Sequence, residues 1–258
     1  MTVPQHLLDQ MSRLTVAARP AERVSLGAAE IDGTLSGGLK LGALHEVYAA
    51  SGADAGAAAG FALGLVQRAA RGRPILWARQ DMLDVETGPI HAPGLLELGI
   101  APDSVVMVRG RDADDVLKAG EDAARCKGLG AVLIEPWGAS PAVNLTTSRR
   151  LGLAAAASGV TAIMLRIAAA PVPSAAETRW RVAAAPSHWL EAEAPGHPSF
   201  NVTLLRHRGG AAGETWCVEW RRDGYVFESR RAAETPLSRP VVPVLSGRTP
   251  ETVLRRTG

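Results

Sequence analysis

Between residues 44 and 165 the chain alternates short apolar runs with segments of helical spacing, and this rhythm restricts its fold more than any other feature. The runs occupy 44–48, 75–78, 105–108, 131–134 and 161–165. Apolar runs this short, rich in Val, Ile and Leu, read as strands buried on both faces. The intervening segments 56–71, 113–125 and 142–158 place their apolar residues at helical spacing. Strands and helices in this order build a mainly parallel sheet flanked by helices. Gly60 and Gly64, four residues apart on the first helix, let that helix lie close against the sheet.

After Pro186 the pattern changes. Phe200, Val202 and Leu204 alternate with polar residues, as do Trp216, Val218 and Trp220, and Asp223-Gly224 gives a hairpin signal. The expected elements 199–206, 215–222 and 225–230 form a C-terminal antiparallel meander at one end of the sheet. At the other terminus Leu7, Leu8, Met11 and Leu14 fall on one face of a short amphipathic helix that Arg19-Pro20 closes. Such a helix either packs on its own domain or docks in a partner's groove. From residue 233 onward Pro236, Pro240, Pro243 and Pro250 predict a flexible tail. The expected division is therefore a helix over 1–20, one α/β domain over 21–232 and a tail over 233–258.

Composition narrows the classes of function. A 47% hydrophobic and 21% charged chain can bury a large core, which excludes global disorder. A formal charge of +2 excludes a purely electrostatic nucleic-acid binder. Cys126 and Cys217 are too few for a disulfide framework or a four-cysteine zinc site, so both read as buried thiols in a reducing compartment. The longest apolar stretch, near 153–165, is short and interrupted by Ser158 and Gly159. No membrane span and a cytoplasmic location are expected.

A first strand that runs through a glycine-bearing turn into a helix is the layout of a nucleotide-phosphate loop. Here strand 44–48 feeds Ala49-Ala50-Ser51-Gly52-Ala53-Asp54-Ala55-Gly56. A phosphate loop needs a lysine for the β- and γ-phosphates and a hydroxyl for magnesium. Those positions fall on Ala55 and Gly56, or on Ala57 and Ala58 in a register two residues later, and no lysine occurs between Lys40 and Lys118. Asp54 adds negative charge. The expectation is a degenerate loop, no nucleotide cofactor and no enzymatic activity.

The block Val24-Ser25-Leu26-Gly27, Ile31-Asp32, Leu35-Ser36-Gly37-Gly38-Leu39 and 42–48 is similar to the lead-in to the nucleotide loop of RecA recombinases. Gln80 then stands where RecA enzymes place a catalytic glutamate, and a glutamine is no general base. Glu135 matches the carboxylate that closes the strand of the second nucleotide motif. The segments GGLKLGALHEVY, PILWARQD, AVLIEPWG, LTTSRRLGLAA and ETRWRVAAAPS, in this order, resemble the ImuA family across residues 24–230. That resemblance implies a RecA-like core in a non-catalytic accessory factor of damage-induced, error-prone translesion synthesis. Its implied partners are ImuB (a Y-family polymerase homologue), RecA and an alternative polymerase III α-subunit. It also leads to SulA-like proteins, which share the core and bind FtsZ. A RecA-type ATPase with an unorthodox loop is the remaining alternative.

Other constellations carry less. His45-Glu46 begins a zinc-protease pattern, but Ala49 stands where the second histidine is needed. No G-x-S-x-G elbow occurs. Arg149 and Arg150 on the third helix make either a solvated face or a grip on a partner's carboxylate or phosphate. Arg179-Trp180-Arg181 reads as an inward tryptophan with outward arginines available to nucleic acid or a partner. From residue 204 onward ten arginines face six acidic residues, a net of +4 in a chain of +2, so the rest carries −2. Arg221 and Arg222 in this basic end are candidates for DNA phosphates or an acidic partner.

Overall fold

The structure, a computed structural model, describes residues 22–187, 189, 190, 194 and 196–230. The helix expected to carry Leu7, Leu8, Met11 and Leu14 and the tail from residue 233 lie outside the described residues. The chain opens with β1 (Arg23–Val24), α1 (Ala29–Thr34) and β2 (Leu39–Lys40), the two strands pairing with each other. Then follow β3 (Leu44–Ala49), α2 (Ala55–Ala70), β4 (Ile75–Gln80), and the short helices α3 (Leu83–Glu86) and α4 (Ala92–Glu97). Next come β5 (Val105–Gly110), α5 (Ala113–Ala124), β6 (Ala131–Glu135), α6 (Leu145–Ser158) and β7 (Thr161–Arg166). The described chain ends with β8 (Thr178–Ala184), β9 (Ser199–His207), β10 (Thr215–Arg221) and β11 (Val226–Ser229).

Nine strands form one sheet in the order β11-β10-β9-β8-β3-β7-β6-β4-β5. The run from β8 to β5 is parallel throughout, and β9, β10 and β11 extend it antiparallel. The five expected central strands and the three meander strands are present within one or two residues. The strand β8 was not expected. Its two arginines hide a buried strand, parallel to β3 on one side and antiparallel to β9 on the other. It joins the two halves of the sheet.

Helix α6 starts at Leu145 rather than at 142, because the Asn144 carboxamide accepts from the amides of Thr146 (2.9 Å) and Thr147 (3.1 Å) and fixes the start there. Asp112 caps α5 in the same way through the Asp115 amide at 2.9 Å. The β10–β11 connection is wider than a two-residue turn: Arg221 pairs with Val226, and Tyr225 takes a φ of 49° in the turn.

Two cores lie on the two faces, and neither contains the two cysteines expected to be buried: Cys126 is exposed and Cys217 half-buried. One, beneath α5 and α6, gathers Leu44, Val116, Val132, Ile134, Leu151 and Met164. The other, beneath α2, is larger and aromatic. Phe61 of α2 meets Trp180, Phe200 and Phe227 at ring-centroid distances of 5.6, 6.2 and 4.9 Å. Gly64 is what permits this approach, since a Cβ there would stand 2.5 Å from Phe227 and 3.0 Å from Trp220. The close contact expected of Gly60 and Gly64 is thus made with the aromatic side chains of the antiparallel strands.

Candidate functional site

The expected nucleotide loop lies at the carboxyl end of β3. Its backbone is pinned to β8, with the Ala50 amide donating to the Val182 carbonyl at 2.8 Å. A single 3-10 turn, Gly52–Asp54, leads into α2. The Asp54 carboxylate accepts from the Ser51 hydroxyl at 2.5 Å and from the Ala184 amide at 2.8 Å. These two bonds, the hydroxyl's foremost, hold the carboxyl below the usual aspartate range. The loop is therefore closed by its own anion. The first turn of α2 adds only Ala55, Gly56, Ala57 and Ala58.

Next to it, at the ends of β4 and β6, two registered residues form a buried ion pair. Arg79 Nε stands 3.0 Å from Glu135 Oε2, and the Trp77 indole donates to the same oxygen at 2.8 Å. The guanidinium also binds Asp84, the Thr87 hydroxyl (2.8 Å) and the Gly88 carbonyl (3.1 Å). Burial pushes the Glu135 carboxyl up, and Arg79 and the Trp77 indole oppose that shift. Glu135, matched from sequence to a metal-binding carboxylate, anchors an arginine that holds the 83–88 segment on the sheet. Gln80 is equally occupied: its carbonyl accepts from the Trp137 amide at 2.9 Å.

Between these groups opens a cavity of about 690 Å³. Gly56 and Gly60 of α2, Trp77, Trp137, Ile90 and Leu95 make it largely apolar, with Arg79 and Glu135 on its wall. A magnesium-bound nucleoside triphosphate needs a cation and a hydroxyl from the loop and a carboxylate free for the metal. This site supplies an anion, alkyl groups and a carboxylate already paired. The residues present do not fit that ligand.

On the other face, beneath the segments 136–144 and 167–177, Glu46 is fully buried and pairs with Arg179 at 2.8 Å. Arg179 also donates to the Val172 carbonyl (2.6 Å) and the Ser174 hydroxyl (2.8 Å). Tyr48 lies between the guanidinium groups of Arg179 and Arg166, at 5.8 and 6.0 Å from its ring centre. Burial, followed by the Glu46 charge, pushes its hydroxyl up to about 12. His45 belongs to the core as well. Its Nδ1 lies 2.7 Å from the Thr178 hydroxyl and its Nε2 2.9 Å from the Lys40 carbonyl, and burial lowers its pKa to about 4.

The candidate arginines separate into two groups. Arg179 is a correction to the outward reading: Trp180 does face the aromatic core, but Arg179 turns into the opposite face to meet Glu46. Arg150 binds Glu121 of α5 at 2.6 Å, Arg222 binds Glu97 at 2.6 Å, and Arg221 binds Glu219 at 3.2 Å with Asp223 and Glu228 beyond. These four stabilise their own chain. Arg149 and Arg181 are exposed. Arg149 lines a shallow pocket with Lys40, Glu177 and Arg208 at the amino end of β3. The Arg79–Glu135 pair was missed because its signal, Arg and Glu closing two neighbouring strands, has meaning only once β4 and β6 are known to be adjacent.

This parallel sheet, with its strand–turn–helix at β3 and the carboxylate ending β6, defines a RecA-like α/β fold. Among solved structures the chain is similar to a RadB recombinase, with a TM-score of 0.53 and 15% identity over 81% of this chain and 100% of that one. An identity this low speaks for the fold alone. No protein-family model matches the chain, and no curated protein matches it in sequence. No helix among the described residues is long and apolar enough to cross a membrane.

Proposed function

We propose that this chain is a RecA-like accessory protein that hydrolyses no nucleotide and acts by protein–protein docking in damage-induced, error-prone translesion synthesis. The non-catalytic part rests on one observation above all: Arg79 occupies the Glu135 carboxylate that a nucleotide-bound metal would need. The Asp54-closed loop supports it independently. The pathway rests on the resemblance of the five ordered sequence segments to the ImuA family. The partners it names are ImuB, RecA and an alternative polymerase III α-subunit, and direct contact with nucleic acid would use exposed arginines such as Arg149 and Arg181.

A pull-down of the purified protein against ImuB, RecA and FtsZ, each with and without ATP, tests this reading. Nucleotide-independent capture of ImuB or RecA is the expected result. Capture of FtsZ alone would replace it with a SulA-like role in division. A ligand at a hundred times its dissociation constant stabilises by about 2.7 kcal/mol. A thermal shift of that size with ATP-magnesium, lost when residues 52–56 are altered, would instead reinstate an ATPase. For the N-terminal segment, Leu8→Glu with Met11→Glu is expected to abolish partner capture without unfolding the domain.

A further inference from the structure

The two ends of the sheet are finished differently. At one end the short strand β11 is covered, with the Phe227 amide donating to the Leu26 carbonyl at 2.8 Å. At the other end β5 runs Val-Val-Met-Val-Arg-Gly, and no strand or loop among the described residues pairs with its outer side. Val106 is 51% exposed and Met107 39%. A bare apolar edge of this length is a template for another strand.

The backbone says which residues are available. The Gly110 carbonyl accepts from the Asp81 amide at 2.9 Å, so residue 110 turns its polar groups toward β4. By strand alternation 106 and 108 do the same, while 105, 107 and 109 direct their amides and carbonyls outward. An antiparallel partner that matches them with its own 105, 107 and 109 uses every outward group. In that register Met107 faces Met107 of the second copy across a twofold axis, and Val105 faces Arg109.

The same twofold brings Asp103, exposed at one end of the strand, to the end where Arg111 of the second copy lies, and does so twice. Val106 and Val108 line the opposite face as apolar pairs. Pro89, Ile90, Leu95 and Pro102 border a groove of about 310 Å³ beside Val105 and Met107, which can receive the partner's side chains. Hydrogen-bonding direction and end charges are thus self-complementary, the exposed Arg111 guanidinium being held by Asp115 at 3.1 Å in its own chain and open on its other side. We propose that β5 pairs antiparallel with β5 of a second copy about Met107, joining two nine-stranded sheets into one. This goes beyond the functional reading and does not depend on it.

Sedimentation equilibrium of the full chain tests it. The wild type is expected to form a dimer by about 100 µM, and Val106→Lys to raise its dissociation constant at least tenfold, the scale of two apolar cross-strand pairs lost at once, each lysine now facing Val108 of the other copy. Asp103→Arg and Arg111→Asp should each weaken the dimer, and the two together in one chain should restore it, an outcome that misfolding would not give. In a background of Cys126→Ser and Cys217→Ala, Met107→Cys should form an intermolecular disulfide under mild oxidation, since paired Cα atoms in such a register lie about 5.5 Å apart. Ser104→Cys in the same background should not. A wild-type monomer at every concentration overturns the proposal. So does a dimer that Val106→Lys leaves intact with no bridge at position 107.

Discussion

On the face covered by α2, the sheet divides across β3 into a half where buried charges meet and a half where aromatic rings meet. On the parallel side Arg79, Glu135 and Trp77 lock β4 to β6, and Arg79 carries the 83–88 segment with it. On the antiparallel side Phe61, Trp180, Phe200, Trp220 and Phe227 stack without a charge among them. The ring cluster draws on apolar area and tolerates graded change. The charged cluster does not, because removing one ion strands the other in a medium that cannot solvate it. The carboxylate that ends β6 is thus held within the chain, by Arg79 and Trp77.

The largest effect is expected at the buried ion pair between Arg79 and Glu135. Arg79→Met should cost about 3–5 kcal/mol in chemical denaturation by leaving Glu135 uncompensated. Adding Glu135→Gln should recover much of the loss, since a neutral carboxamide still accepts from Trp77. Full stability of the single variant would break the distinction between the halves.

His45 stands at the border, on β3 with its ring against Thr178 of β8. Above about pH 7 the ring is neutral in the folded and unfolded states and adds nothing to the pH slope. From its unfolded value of 6.5 down to about 4 the unfolded chain takes up a proton that the folded chain refuses, so stability falls as pH falls. The loss approaches about 3 kcal/mol at pH 4. His45→Gln should flatten that part of a stability–pH curve, and an unchanged slope would remove His45 from the border.

The smallest effect is expected among the rings. Gly64→Ala adds a methyl against Phe227 and should cost about 1–2 kcal/mol, overpacking being partly offset by the better helix former. Phe227→Leu in the same chain should relieve the contact. Additive losses in the double variant would show that Gly64 answers to something other than the ring.

Much of the fold was legible because its signals are local. Strands β3, β4, β6 and β7 are apolar enough to be recognised one at a time, and α5 and α6 carry cap residues at their starts. The residue types of the loop after β3 were legible too, since a lysine and a hydroxyl are either in the chain at the required spacing or not. What escaped was long-range. β8 was not read as a strand and Arg179 was read as outward, because its partner Glu46 lies 133 residues away in sequence. Arg150 and Arg222 looked available because their acidic partners Glu121 and Glu97 belong to other elements, whereas the first partner of Arg221, Glu219, lies two residues away on the same strand.

The sequence by itself determined the alternation of strands and helices and the chemistry missing from the loop after β3. Both depend on residue type and spacing along the chain. Only the tertiary structure decided that Asp54 closes that loop, that Arg79 takes up Glu135, and that β5 is a bare edge among the described residues. Each depends on which strands become neighbours, and adjacency in a sheet is settled by packing over distances that no local pattern records.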